Sequence, residues 1–293
     1  MKFKTKYQSI IRFLEKLTNN VQKDVNRFLA LAIKNPFKLL FLRFSIFIMN
    51  SLFLKEIRSF LNSLIGYIVI IVFLLGISLF MWIIKGESNV LDNGYATIDT
   101  LFAIAPWVFL FLIPAITMRS FADEKKTGTI ELLLTRPLTD LQIIIAKYAA
   151  GLALVLFSLI PTLVYYFSVY KLGTPQGNID AGGTWGSYIG LLLLGSSFVC
   201  VGVFSSSLTD NQIIAFIISL AMCFFCYTGF EQISSLSLFG KADTFIEALG
   251  INQHYNSLSR GVIDIRDVVY FLGFNAFFIL LTKTVLESRK WQK

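Results

Sequence analysis

Long uncharged runs dominate the hydropathy pattern of this chain. Ser63–Ile84 contains no charged residue, and neither do Leu101–Met118, Tyr148–Tyr170 and Asn211–Phe230. Ala181–Thr209 is also uncharged, but its opening glycines place the start of a span near Tyr188. Val268–Leu286 is interrupted only by Lys283, which can snorkel to the interface from near a helix end. A membrane-crossing helix needs about 20 predominantly apolar residues, so the pattern predicts six spans. A β-barrel would show short alternating segments instead. Spans four and five are separated only by Ser205–Gln212 and must form a tight antiparallel hairpin. Pro106, Pro114 and Pro161 fall inside spans, where neighbouring helices can satisfy the carbonyls they free, and they predict kinks.

Upstream of the first span the pattern weakens. Leu39–Asn50 is apolar but short and contains Arg43, and Pro36 separates it from Val21–Ile33, a basic amphipathic stretch. These segments read as helices lying on the membrane surface, in part disordered. No signal-peptide pattern is present, because charges run through the apolar positions of the first 35 residues and no small-residue cleavage site follows.

Composition agrees with lipid as the solvent. The chain of 293 residues is 55% hydrophobic and only 15% charged, where soluble domains carry about 25% charge. The net charge of +8 is localised. Residues 1–50 contain ten Lys/Arg against Glu15 and Asp24, and the rest of the chain is neutral. The basic balance therefore reports an N-terminal arm suited to anionic lipid rather than a nucleic-acid-binding face. Loop charges set the orientation. Lys55 and Arg58, then Arg119, Lys125, Lys126, Arg136 and Lys147, then Arg289, Lys290 and Lys293 all fall on one side of a six-span chain. Lys85–Thr100 is acidic and Lys171–Gly183 nearly neutral. Both termini are thereby expected in the cytoplasm of a multi-pass protein.

Several chemistries are excluded. There is no G-x-x-x-x-G-K-[ST] to cradle phosphates, so the chain is not itself an ATPase. H-E-x-x-H and G-x-S-x-G are absent, and a single histidine, His254, argues against a metal site. No catalytic residue is assigned. Cys223 and Cys226 have a redox spacing in a wholly apolar setting, and they read with Cys200 as helix packing residues. Ionisable residues within spans would mark an ion path; apart from Lys283 the spans contain none, which argues against a proton-coupled carrier.

The loop between spans two and three carries the clearest local signal. Thr127 is a plausible N-cap, Glu131 sits early in the following helix where its dipole favours an anion, Ile130, Leu133 and Leu134 make an apolar stripe, and Pro137 ends the helix. Such an amphipathic helix at a membrane face is suited to a groove on another protein or to burial against its own bundle.

The stretch Phe121–Gly151, with Glu124, Gly128, Thr129, Glu131, Leu132, Leu133, Pro137 and Lys147, resembles the loop of ABC-2-type transporter permeases. Lys55–Phe60, Ala105–Trp107, Ile113–Phe121, Leu208–Gln212 and Ser259–Asp267 are similar, more narrowly, to the GldF family of permeases from gliding-motility ABC transporters. The resemblance covers residues 49–290. It implies an all-α membrane protein: a six-transmembrane-helix ABC-2-type permease bundle with short cytoplasmic amphipathic helices, in a bacterial inner membrane. It implies that the chain binds no cofactor, with ATP and magnesium on a separate GldA-like ATPase chain, and that its further partners are a GldG-like membrane protein and a second permease chain. The loop helix is then the coupling helix that rides on the ATPase, with Glu124, Gly128, Thr129, Glu131, Leu132, Leu133 and Pro137 shaping or presenting the contact. Ser51–Leu61 becomes a connecting helix along the inner leaflet. The expected domains are an extension over residues 1–48, a connecting helix over 49–62 and a six-helix permease over 63–293. The extension departs from the family, whose chains begin near Met49; it is a basic arm or a misassigned start.

The segment Glu231–Asp267 lies on the opposite side. Phe245, Ile246 and Leu249 form a stripe that Gly250 can end, and Arg260, Asp264 and Asp267 precede span six. These charges are candidates for an external gate, or else Arg260 and Asp264 form a surface pair at i, i+4. The function expected is export driven by a partner ATPase; the alternative is a structural membrane anchor of a motility or secretion machine that moves nothing.

Overall fold

The computed structural model describes residues 36–135, 138–237, 240 and 243–288. The chain divides into a unit of residues 1–48 and a larger compact unit, Met49–Lys293. The expectations for Val21–Ile33, Arg136, Pro137, Arg289, Lys290 and Lys293 lie outside the described residues.

α1 is described over Pro36–Leu61. It is one helix, where the sequence pattern separated Leu39–Asn50 from Ser51–Leu61. α2 (Leu64–Ser78) runs on through a π turn, Leu79–Ile83. α3 (Asp99–Thr117) is followed by two short helices, α4 (Ala122–Lys126) and α5 (Ile130–Leu134). α6 (Asp140–Leu159) passes through a 3₁₀ turn containing Pro161 into α7 (Leu163–Leu172). α8 (Ala181–Leu208) turns directly into α9 (Gln212–Phe224), which continues through a π turn into α10 (Phe230–Ser235). α11 (Asp243–Glu247) and α12 (Ile251–Leu258) lead to α13 (Ile265–Ser288). Among the described residues six helical stretches are long and apolar enough to cross a membrane. The protein is an all-α, multi-pass membrane protein.

α8 is the central helix: 78% of its apolar window is buried, against 22% in the first and sixth spans and 28% in the fifth. Its small residues let neighbours approach closely, as lipid-embedded helices require. A Cβ placed on Gly186 would lie 2.5 Å from the carbonyl oxygen of Gly261, and one on Gly190 2.5 Å from the Cβ of Leu258. The same residues explain why this span begins seven positions before the expected Tyr188. Asp180 caps the helix, its carboxylate accepting from the Gly183 amide at 3.0 Å, so the opening glycines are helical. Across the bundle Asn275 of α13 donates to Ser196 of α8 at 2.8 Å and to Tyr148 of α6 at 3.4 Å. The outward faces of the outer spans remain apolar and exposed, including Ile68, Ile71, Phe111, Phe157, Ile213, Ile217, Leu272 and Leu280, as lipid contact demands.

Pro106 lies inside the continuous helix α3, and the carbonyl it frees finds a partner outside that helix. Its missing N–H leaves the carbonyl of Phe102, one turn earlier, without a helical partner. The Tyr255 hydroxyl of α12 donates to that carbonyl at 2.8 Å. Burial pushes the Tyr255 phenol well above its ordinary value of 10.0. The folded chain therefore keeps this proton after the unfolded chain has lost it, and the stability it contributes is complete below pH 10 and declines as pH rises beyond. Tyr255→Phe is expected to cost about 1–3 kcal/mol, the penalty of an orphaned buried carbonyl, and to flatten that alkaline decline, both measurable by unfolding in detergent across pH.

Candidate functional site

At the bundle end where α1, α4 and α6 meet, four charged side chains converge. Lys147 lies two turns into α6, whose start is set by a capping box: the Gln142 amide donates to the Thr139 hydroxyl and the Thr139 amide to the Gln142 side chain. The Lys147 side chain is fully buried. Its Nζ is 2.9 Å from Glu56 Oε1 on α1 and 3.0 Å from Glu124 Oε2 on α4, and it also donates to the Ser120 carbonyl. It lies 4.9 Å from the centre of the Phe121 ring. Lys55 closes the group, 2.9 Å from Glu124 Oε1 and 3.7 Å from Glu56 Oε1. Two cations thus face two carboxylates: the buried ammonium donates to Glu56 and to the Ser120 carbonyl and lies in ion-pair contact with Glu124, the pairing a buried charge requires.

Lys147 stands further inside a helix than the sequence reading had it. The expectation placed Lys147 in the loop, because an uncharged run begins after it. The capped helix begins at Asp140 and carries Lys147 inward. Glu56 and Lys55 were not singled out as site residues either, although both stand in a stretch that resembles the permease family.

α4 is tied to the α8–α9 hairpin. The amides of Phe121 and Ala122 donate to the Ser206 hydroxyl at 2.9 and 3.0 Å, and that hydroxyl donates to the Met118 carbonyl at 3.0 Å. Lys125 donates to the Ser207 carbonyl, and Gln212 donates to Asp123. A short helix therefore grips the central helix on one side and the charge cluster on the other.

Gly128 makes the turn between α4 and α5 at φ +70, in the left-handed region that glycine enters without strain. Thr127 does not cap α5, as expected from sequence. Its hydroxyl donates back to the Asp123 carbonyl at 2.8 Å, and Thr129 takes the N-cap position with its hydroxyl 2.9 Å from that of Thr127 and no side-chain bond to the helix backbone. Ile130 and Leu133 are buried, while Glu131 is exposed and Leu132 is 68% exposed. The coupling residues expected from sequence thus separate. Glu124 and Leu133 face inward, Gly128 and Thr129 form the turn, and Glu131 and Leu132 face out; Pro137 lies outside the described residues. Between α1 and this turn runs a cleft of about 370 Å³ lined by Ser51, Leu52, Lys55, Glu124, Leu132 and Leu133 among others.

The three gate candidates at the opposite bundle end do not converge. Arg260 and Asp264 form no ion pair. Gly261 takes φ +81 and breaks the helical register that the i, i+4 pairing needs, so Arg260 donates to the Asn256 carbonyl at 3.2 Å while Asp264 accepts from the Arg266 amide at 2.9 Å at the start of α13. Asp267 instead meets His254, Nδ1 to Oδ1 2.7 Å, and accepts from the Ser257 hydroxyl. His254 Nε2 faces the Ala248 carbonyl at 2.9 Å, and the ring stacks on Tyr270 at 3.9 Å. Gly250, expected to end a helix, is the N-cap residue of α12, and Phe245 and Leu249 of the expected stripe are exposed. Arg260 lines a cavity of about 570 Å³ with Asp99, Trp107, Tyr227 and Glu231 among others.

No group of three His, Cys, Asp or Glu side chains converges at metal-ligand spacing among the described residues. The three cysteines are buried, unpaired thiols within helices.

The chain matches the profile of a family described as ABC-2 family transporter protein over residues 84–252. That match spans more than half of the chain, from the end of the first span to the start of α12. No curated protein matches it. With six apolar spans and a family match across the central four of them, the chain belongs to the ABC-2 transporter family and is a transmembrane permease of an ABC transporter.

Proposed function

We infer that α4 and α5 are the docking element through which a separate ABC ATPase chain drives this permease. The observation that carries the reading is the way α4 is held: Ser206, Lys125 and Gln212 fix it to the α8–α9 hairpin, while Glu124 fixes it through Lys147 to α6 and to Glu56 of α1. A displacement applied at exposed Glu131 and Leu132 passes through the short Gly128 turn into α4, and from α4 to three spans and α1. On this reading Glu124, Gly128 and Leu133 shape the element, and Glu131 and Leu132 present it.

The element faces the cytoplasm of a bacterial inner membrane, both termini lie on that side, and the permease exports. The supporting observation is charge: Lys55, Arg58, Arg119, Lys125 and Lys126 gather at the docking end, and Glu87, Asp92 and Asp99 outnumber Lys85 at the other. ATP and magnesium act on the ATPase. The stretches similar to gliding-motility permeases support a GldA-like ATPase, a GldG-like companion and a second permease chain as partners. Arg260, Asp264 and Asp267 border the opposite mouth.

Affinity purification in mild detergent tests the pairing, with an ATPase chain as the expected partner. Labelling tests the orientation. A cysteine placed at the exposed Lys126 is expected to resist a membrane-impermeant maleimide in intact cells and to react in inverted vesicles. Reaction in intact cells would put the element out of the reach of a cytosolic ATPase.

A further inference from the structure

A second feature at the docking end is unexplained by docking. Arg119 follows α3 directly. Its Nε is buried without a hydrogen-bond partner, and one terminal nitrogen donates to the Ser63 hydroxyl at a long 3.3 Å. No carboxylate pairs with it among the described residues. Around it lies a cavity of about 50 Å³, several times the space one water needs. Ser59, Ser63 and Ser120 supply hydroxyls to its wall, Lys147 and Glu56 stand beside Arg119, and Ile116, Leu154 and Val203 line it one to two turns deeper in the bundle.

Charge decides what this cavity can hold. Lys55 and Lys147 balance Glu56 and Glu124, and Lys147 is held in ion pairs with both carboxylates while it donates to Glu56 and the Ser120 carbonyl. Arg119 is left as one uncompensated positive charge, with a buried donor aimed at no acceptor. A partly buried guanidinium of this kind calls for an anion with several oxygens, which it recognises through a planar fork of donors. Position narrows the choice. Ser63 immediately precedes the first span and Arg119 immediately follows the last apolar residue of the second, so the cavity lies at the depth where a bilayer carries its headgroup phosphates. Exposed Leu64, Tyr67 and Ile68 begin the lipid face of α2 beside it.

We propose that this cavity binds a phosphate group, carried by a membrane lipid or present as free phosphate, with Arg119 as the charged donor and Ser59 and Ser63 as hydroxyl donors. The site is distinct from the docking turn, and it holds for either orientation of the chain.

The test uses the full-length chain purified in mild detergent, titrated with dioctanoyl phosphatidylglycerol, with dioctanoylglycerol and with inorganic phosphate, with binding read by native mass spectrometry and tryptophan fluorescence. Phosphatidylglycerol is expected to bind saturably and dioctanoylglycerol at least tenfold more weakly. Arg119→Gln is expected to weaken phosphatidylglycerol at least tenfold. Inorganic phosphate that competes with the lipid at similar concentration identifies the free anion as the ligand; phosphate that fails to compete identifies the lipid. Equal binding of the two diacyl probes overturns the proposal, as does an unchanged affinity in Arg119→Gln. Should Arg119→Gln misfold, the double variant Ser59→Ala, Ser63→Ala leaves every charge in place. It is expected to bind about three- to tenfold more weakly, and wild-type affinity in it is equally fatal.

Discussion

Replacing Lys147 by methionine is expected to destabilise the protein by about 3 kcal/mol, a larger loss than other single changes in the charge cluster produce. Methionine keeps the volume and the helix propensity of the site, so the loss is electrostatic. Removing one partner of a buried ion pair leaves the other buried and uncompensated, at a cost of about 3–5 kcal/mol. The lower end applies because Glu56 is 21% exposed and relaxes toward water, and because Glu124, 9% exposed, keeps Lys55 at 2.9 Å. Glu124→Gln is the milder change, because Lys147 retains Glu56 and the Ser120 carbonyl. Coupling can be separated from bulk destabilisation by a double-mutant cycle. Lys147→Met combined with Glu124→Gln is expected to be less damaging than the sum of the two, by about 0.5–3 kcal/mol. Denaturation of the four proteins in one detergent measures the cycle, and strict additivity would show that the two side chains do not act as a pair.

The cluster also marks the boundary of what the sequence discloses. Spans are legible because eighteen or more uncharged residues admit no other solvent, and all six appear where the apolar runs lie. A run of apolar residues fixes where lipid begins, however, and not where the helix begins. Lys147 falls at the edge of such a run, yet its helix starts at the Thr139–Gln142 box, and the same capping logic moves the start of α8 to Asp180. The partners of Lys147 stand 91 and 23 positions away, and no local periodicity connects them. Arg260 and Asp264 show the reverse error. Their spacing suits a helix, but Gly261 at φ +81 packs against Gly183 and Gly186 of α8 and takes that stretch out of helical register. A carbonyl freed by an in-span proline was readable in kind; that Tyr255 supplies the donor at Pro106 depends on a contact across 153 positions. In the docking loop two members of the apolar stripe take the alternative that the sequence left open, burial against the bundle, so the outward apolar position is not theirs. Ile130 and Leu133 anchor α5 to the protein, and the apolar side chain left facing out is Leu132.

That outward position leads to the second large effect. Leu132→Asp is expected to weaken the association with the ATPase chain at least tenfold and to lower transport-coupled ATP turnover accordingly, with the unfolding midpoint of the permease unchanged. Leu132 is 68% exposed, so the folded permease loses little when it becomes polar, whereas an interface that buries it loses an apolar anchor and gains a desolvated carboxylate. Glu131→Lys on the same exposed face tests the charge of the contact and is expected to act in the same direction. Leu133→Asp is the contrasting control: its side chain is buried, and its failure should show first as a lowered midpoint. Three readings therefore distinguish the possibilities. Weak association with a normal midpoint in Leu132→Asp places the ATPase on α5. Normal association and turnover in both Leu132→Asp and Glu131→Lys would remove α5 from the interface, leaving the clamp around α4 as a brace within the bundle. Normal association with lost turnover would keep the contact and make this face the point at which movement, rather than affinity, is transmitted.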